Sequence, residues 1–256
     1  MRVLVKIGGT LLESSESRHR LAGEVSEVFR SGVETVVVHG GGKQMTRYLE
    51  ERGIRSQFVN GLRVTTAEVL DAVIKVVAGS VNQELVAAFA AVGALAVGLS
   101  GVDAGLAEAE PMSADLGFVG KPVRSNPQVL EVLMASRLLP VVACVAGDRA
   151  GNIYNVNADQ MAVACARAFR VDKLLFLTDV DGVRSASGAI LEKLSAAECR
   201  ELIRNGVATG GMQAKLESAI AGLESGIGEV VIAPGARPGI VGELVLGGNA
   251  MGTRIT

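Results

Sequence analysis

Two lysines and one aspartate, each beside glycines at the end of an apolar run or the start of a helix, are the residues in this chain best suited to chemistry. Lys6-Ile7-Gly8-Gly9 closes the strand-like run Val3–Ile7. An ammonium inside an apolar strand is costly unless it meets an anion, and the exposed N–H groups of a Gly-Gly turn would help to form an anion site. A lysine on an edge strand, reaching out to solvent, fits this motif equally well. His39-Gly40-Gly41-Gly42-Lys43 follows a second apolar run and precedes a helix. Three glycines let the backbone approach a phosphate or carboxylate, and the helix N-terminus adds partial positive charge. Thr209-Gly210-Gly211-Met212-Gln213-Ala214-Lys215 repeats the arrangement. Lys215 is expected in the first helical turn, where a cation opposes the macrodipole; an ordinary exposed helix lysine is the plain alternative. In Asn155-Val156-Asn157-Ala158-Asp159-Gln160, alternation puts Asn155 and Asn157 on one face of an extended segment, and Asp159 opens a mostly apolar helix. A carboxylate there wants a cationic partner, and Lys6 and Lys215 are the candidates.

Commoner glycine-loop chemistries do not fit. A P-loop needs Gly at 37 and Ser or Thr at 44, where Val37 and Gln44 stand. A dinucleotide fingerprint needs Gly or Ala at 46, where Thr46 stands, and an acidic residue near 58–64, where none occurs. Cys144, Cys165 and Cys199 are dispersed, without metal-ligand spacing, and read as reduced structural thiols of a cytoplasmic protein. Neither histidine, His19 or His39, is expected to be catalytic; His39 is expected to support its loop through hydrogen bonds.

The elements that must position these groups follow from the apolar pattern. Strands are predicted at Val3–Ile7, Thr35–His39, Ala94–Leu99, Leu139–Val145, Lys173–Leu177 and Glu229–Ile232. Helices are predicted at Ser17–Arg30, Gln44–Glu51, Thr66–Phe89, Pro127–Ala135, Ala158–Phe169, Ala196–Asn205 and Gln213–Ser225. Continuous apolar strands alternating with helices imply a three-layer αβα sandwich around a largely parallel central sheet. Two lobes on one continuous sheet are expected, residues 1–168 and 169–256. Residues 54–65, 105–126 and 182–195 break the rhythm and read as hairpins or loops of the kind that form substrate lids. Leu85–Val102 is uncharged over nearly the length of a membrane span, but its glycines suit a helix end followed by a buried strand. With a net charge of −2, no Trp and only two Tyr, nucleic-acid and anionic-membrane partners are not expected.

In this order and combination the four motifs closely resemble the amino-acid kinase family. Within it, His-Gly-Gly-Gly at 39–42, Asn-Gly-Leu-Arg-Val-Thr at 60–65, Gly-Phe-Val-Gly at 117–120, Asn-Val-Asn-Ala-Asp-Gln at 155–160 and Met-Gly-Thr-Arg-Ile at 251–255 are similar to the branch that phosphorylates N-acetyl-L-glutamate. The resemblance implies ATP with Mg²⁺, the metal held mainly by the nucleotide phosphates, and no protein metal site. It implies that Lys6 and Lys215 contact the transferring phosphoryl group from the acceptor and nucleotide sides, with Asp159 holding both. Gly8 and Gly9 would lie over the β/γ-phosphates, and Gly40 and Gly41 at the reacting carboxylate. Arg63 would clamp the other carboxylate, with Asn155 an additional substrate contact. Thr178, Asp179, Gly210 and Met212 would line the nucleotide pocket. Val102 departs from the lysine that many relatives carry in this stretch, which alters local charge. The chain begins at its first strand, and a homodimer insensitive to arginine is therefore expected. Kinases for carrier-linked aminoadipate or glutamate, other family members, and a silent binding module are the competing readings; the first two fit residues 39–42, 60–65 and 155–160 less well, and intact Lys6, Lys215 and Asp159 argue against the third.

Overall fold

The computed structural model describes residues 1–247 and 251–256. The first half of the chain runs β1 (Arg2–Ile7), α1 (Ser15–Arg30), β2 (Glu34–His39), α2 (Gly42–Glu50), β3 (Phe58–Val59), β4 (Leu62–Arg63), α3 (Ala67–Val73), α4 (Asn82–Ala91) and β5 (Ala96–Ser100). It continues through β6 (Ala107–Pro111), β7 (Val119–Ser125), α5 (Gln128–Ala135), β8 (Leu139–Ala143), β9 (Val145–Gly147), β10 (Ile153–Val156) and α6 (Ala158–Phe169). The remainder is β11 (Lys173–Thr178), β12 (Lys193–Leu194), α7 (Ala196–Arg204), α8 (Gly210–Glu224), β13 (Glu229–Pro234), α9 (Ile240–Leu246) and β14 (Thr253–Ile255).

Eight strands form one sheet in the order β12-β14-β13-β11-β1-β2-β8-β5. The six strands from β13 to β5 are parallel, and β12 and β14 run against them. In β1, β2, β11 and β13 every residue after the first is buried, as expected for parallel strands covered on both faces. Helices α1, α4 and α9 pack together, as do α6, α7 and α8, which yields the αβα sandwich anticipated from the pattern. Because β1 lies between β11 and β2, Lys6 belongs to a central strand, and the solvent-reaching alternative falls.

Several sequence expectations are corrected. The run Leu139–Val145 divides at Cys144 into β8 and β9, which leave for different sheets. Segment 105–126, read as hairpins or loops, is a hairpin, β6 pairing antiparallel with β7, and the two join β9 and β10 in a small closed barrel. β6 and β7 carry Glu108, Glu110, Lys121 and Arg124, so they lack the continuous apolar signature of the main sheet. Segment 54–65 is a hairpin, β3–β4, turned on Asn60 and Gly61 with φ of 49° and 79°; these angles suit a type I′ turn, for which Asn-Gly is favoured. Helix α9 and strands β12 and β14 had no counterpart in the sequence analysis, being only 2 to 7 residues long.

The predicted helix Thr66–Phe89 is continuous from Ala67 to Ala91 but is α-helical only at its ends; Ile74–Val81 forms π-helical turns between α3 and α4. It is long and apolar enough to cross a membrane by length and composition. Yet Val69, Val73, Val77, Leu85 and Phe89 are buried in the protein core. The uncharged stretch 85–102 is thus the end of this helix, a turn at Gly93 with φ of 75°, and β5.

Candidate active site

The motifs converge at one edge of the sheet, where its parallel strands end. Gly8 and Gly9 follow β1, Gly40–Gly42 follow β2, and Thr178 and Asp179 follow β11; α6 and α8 begin there because they lead back into parallel strands. This is the edge at which open α/β sheets bind ligands.

Asp159 stands in the first turn of α6. The Asn157 side chain caps that helix, accepting from the N–H groups of Asp159 at 2.9 Å and Gln160 at 3.3 Å. Its carboxylate receives Lys6 Nζ on Oδ1 at 2.7 Å and Lys215 Nζ on Oδ2 at 3.1 Å. Lys6 and Asp159 are buried, at 5% and 4% exposure, and Lys215 is partly open. Burial alone would raise the Asp159 carboxyl, but the charges and hydrogen bonds of the two lysines outweigh it and hold the group below the usual carboxylate range. Three ionised groups therefore share one site with a net charge of +1. One sequence detail is corrected: α8 starts at Gly210, so Lys215 is its sixth residue, in the second turn.

The two glycine loops meet face to face. A Cβ on Gly9 would lie 3.1 Å from the Gly42 nitrogen and 3.6 Å from the Gly41 nitrogen. A Cβ on Gly8 would lie 3.1 Å from the Leu177 carbonyl oxygen, and one on Gly40 would touch the Ala158 methyl at 3.4 Å. A side chain at Gly8 or Gly9 would press on backbone, whereas the Gly40 distance is ordinary contact. Gln44 Nε2 donates to the Gly9 carbonyl at 3.4 Å, tying α2 to the first loop.

A pocket of about 180 Å³ opens beside the loops, lined in part by Gly40, Gly41, Gly42, Arg63, Asn155 and Cys144. The β3–β4 hairpin delivers Arg63, whose guanidinium donates to Ser56 Oγ, to Gly42 O at 3.1 Å and to Thr46 Oγ1 at 2.8 Å, and stacks 4.7 Å from the Phe58 ring. Among the described residues Arg63 forms no ion pair, and the Glu50 carboxylate acts on it only from a distance. Burial lowers its pKa from the ordinary value. Asn155, on β10, donates through Nδ2 to Thr65 Oγ1 at 3.0 Å.

On the C-terminal side, the Thr178 hydroxyl donates to Asp179 Oδ1 at 3.1 Å. Gly210 has φ of 53°, and nothing would crowd a Cβ there or at Gly211. Met212 is half-buried in the first turn of α8. Thr178 and Asp179 share the binding edge with Gly210 and Met212, but the described residues show no hydrogen bond or ion pair between the two groups.

Two groups escaped the sequence analysis. Cys144, read as plain packing, forms a wall of the pocket; burial pushes its thiol up to about 11, which disfavours the thiolate. Asn82, buried at the head of α4, bonds directly to His39. Asn82 stands beside Gln83 and Glu84, and nothing in the sequence marked it off from them.

A large parallel sheet with glycine loops, two lysines and a bridging aspartate at its carboxyl edge defines a small-molecule kinase built without a P-loop. The chain belongs to the amino acid kinase family, whose model matches residues 1–234. An acetylglutamate kinase of Solibacter usitatus is 58% identical, covering 100% of this chain and 99% of its own. One from Koribacter versatilis is 40% identical, over 100% and 98%. Among solved structures, N-acetylglutamate synthase from Neisseria gonorrhoeae, complexed with coenzyme A and N-acetyl-glutamate, superposes with a TM-score of 0.89 at 25% identity. That match covers 100% of this chain and 59% of the longer synthase. Carbamate kinase from Giardia lamblia, bound to AMP-PNP, shares the fold with a TM-score of 0.74 at 17% identity, covering 99% and 97%.

Proposed function

We propose that this protein transfers the γ-phosphoryl group of ATP to the side-chain carboxylate of N-acetyl-L-glutamate, forming an acyl phosphate in arginine biosynthesis. The observation that carries this reading is the Lys6–Asp159–Lys215 bridge, supported by full-length identity to acetylglutamate kinases. The attacking carboxylate is already ionised near neutral pH and needs no general base. The barrier lies in bringing two anions into line and in stabilising charge on the equatorial oxygens. Lys6 approaches from the acceptor side and Lys215 from the nucleotide side, and Asp159 fixes both ammonium groups against their own repulsion. Gly8 and Gly9 present N–H groups to the β- and γ-phosphates, and Gly40 and Gly41 to the reacting carboxylate. Arg63 takes the second carboxylate of the acceptor, and Asn155 a further polar group. Thr178, Asp179, Gly210 and Met212 receive the nucleotide.

ATP brings Mg²⁺. Among the described residues no group of three His, Cys, Asp or Glu side chains is placed to hold a metal ion; in this reading the nucleotide phosphates are its main ligands. Residues 1–168 form the acceptor lobe and 169–256 the nucleotide lobe, and the Asp159–Lys215 contact crosses between them. The protein acts in the cytoplasm as a homodimer. The open edge of the sheet at β5, with Leu95 70% and Val132 58% exposed nearby, is the surface we assign to the second copy.

ATP, Mg²⁺ and N-acetyl-L-glutamate with hydroxylamine test the reaction, since the acyl phosphate is trapped as a hydroxamate. Turnover with free acetylglutamate is expected. Turnover confined to a carrier-linked aminoadipate or glutamate would replace the acceptor, and none with any carboxylate would overturn the reading.

A further inference from the structure

The buried pair His39–Asn82 has no place in the chemistry above, yet its hydrogen bonds determine the proton position on the His39 ring. Asn82 Nδ2 lies 3.0 Å from the Val141 carbonyl oxygen and 2.9 Å from His39 Nε2. A carbonyl only accepts, so the amide group facing it is the NH₂, and its second hydrogen points at Nε2. Nε2 is therefore the unprotonated nitrogen. The ring proton sits on Nδ1, which lies 2.8 Å from the Gly40 carbonyl oxygen, again a pure acceptor. The chain of bonds is anchored at both ends by backbone carbonyls, and only this one tautomer satisfies every link. Both side chains are buried, at 0% and 2% exposure.

The consequence falls on the glycine loop. In a trans peptide the C=O and the following N–H point in opposite directions. With the Gly40 carbonyl held toward the buried ring, the N–H of Gly41 is turned the other way. Among the described residues it has no acceptor, and both glycines line the pocket proposed for the acceptor. We infer that His39, oriented by Asn82, is a positioning residue that holds the 40–41 peptide so that the Gly41 N–H faces the acceptor's reacting carboxylate. The rest of the structure supports this use of Asn82. It heads α4 directly after the π-helical turns, whose Val77 packs 3.1 Å and Val81 3.5 Å from the place a Gly41 Cβ would occupy. Room for its amide comes from Gly98 on β5, where a Cβ would lie 2.0 Å from Asn82 Oδ1. The π-helical turns and two glycines thus serve one hydrogen-bonded chain.

The inference rests on the proposed acceptor pocket, and its test separates the two. Nitrogen-15 NMR of the imidazole in the full-length wild type reads the tautomer without any substrate; protonated Nδ1 and bare Nε2 are expected, and the reverse tautomer overturns the inference. Kinetics then compare His39→Phe with His39→Asn, whose amide N–H replaces Nδ1–H. For His39→Phe, the acceptor KM is expected to rise and kcat to fall, together about 10–100-fold in kcat/KM, with the ATP KM within about twofold. His39→Asn is expected to recover most of that loss. Asn82→Ala, which removes the hydrogen bond to Nε2 and leaves the ring without its orienting partner, is expected to reproduce part of the His39→Phe split. Unchanged acceptor kinetics in a folded His39→Phe, or equal losses for acceptor and ATP, overturn the inference. If the wild type phosphorylates a different carboxylate, the functional proposal fails, and the same comparison runs with that acceptor.

Discussion

At the residue scale, charge decides the site. Lys6, Asp159 and Lys215 are tolerated in a largely buried setting because each ion has a partner; losing one would leave a buried charge uncompensated. Lys6→Ala and Lys215→Ala are each expected to lower kcat about 10²–10³-fold, read in the hydroxamate assay. Lys6→Ala is also expected to lower Tm more, since the Lys6 side chain is 7% exposed against 17% for Lys215. His39 gives a pH dependence of opposite origin. Its pKa falls from 6.5 to about 4 on folding, because burial excludes the cation and the hydrogen bond to Gly40 only partly offsets this. Between these values the unfolded chain binds the proton and the folded one does not, so stability is full above about pH 7 and declines as pH falls from 6.5 toward 4. Denaturant unfolding is expected to show about 2 kcal/mol less stability from this group at pH 5 than at pH 7.5. His39→Phe is expected to abolish that component.

At the scale of elements, short backbone devices carry the side chains. The β3–β4 hairpin is the clearest case, since Arg63 enters the pocket only if the Asn60–Gly61 turn holds its left-handed angles. Gly61→Val places a β-branched residue at φ of 79°, where it is strained. The acceptor KM is expected to rise about tenfold while the ATP KM stays unchanged, in initial-rate measurements. The hairpin was legible as a break in the apolar rhythm, and Asn-Gly marked its turn. The barrel of β6, β7, β9 and β10 was not, because β6 and β7 expose charged residues such as Glu110, Lys121 and Arg124, and β9 and β10 are only 3 and 4 residues long. The π-helical turns were hidden for another reason: Ile74–Val81 is composed like its helical flanks, and only packing against the Gly41 loop distinguishes it.

At the scale of the whole molecule, the open β5 edge is the surface proposed for a second copy. Leu95→Asp with Val132→Asp is expected to convert a dimer to a monomer in sedimentation velocity, with the far-UV spectrum unchanged. A monomeric wild type at micromolar concentration would remove the second copy from the proposal.

The sequence by itself determined the sandwich and the identity of the charged groups. Runs such as Val3–Ile7 and Lys173–Leu177, alternating with helices, suit a parallel sheet buried on both faces, and a lysine before Gly-Gly in such a run suits an anion site if its strand is central. It left open whether Lys6 was central or at an edge, and it placed Lys215 a turn too near the helix start. Strand order decided the first point, since β11 and β2 flank β1. Geometry decided the rest: Lys6, Asp159 and Lys215 are far apart in the chain and meet only because β1 ends and α6 and α8 begin at the same edge. The proton position on His39 belongs wholly to the tertiary structure, because it depends on carbonyls at Gly40 and Val141 that pattern alone does not bring to one ring.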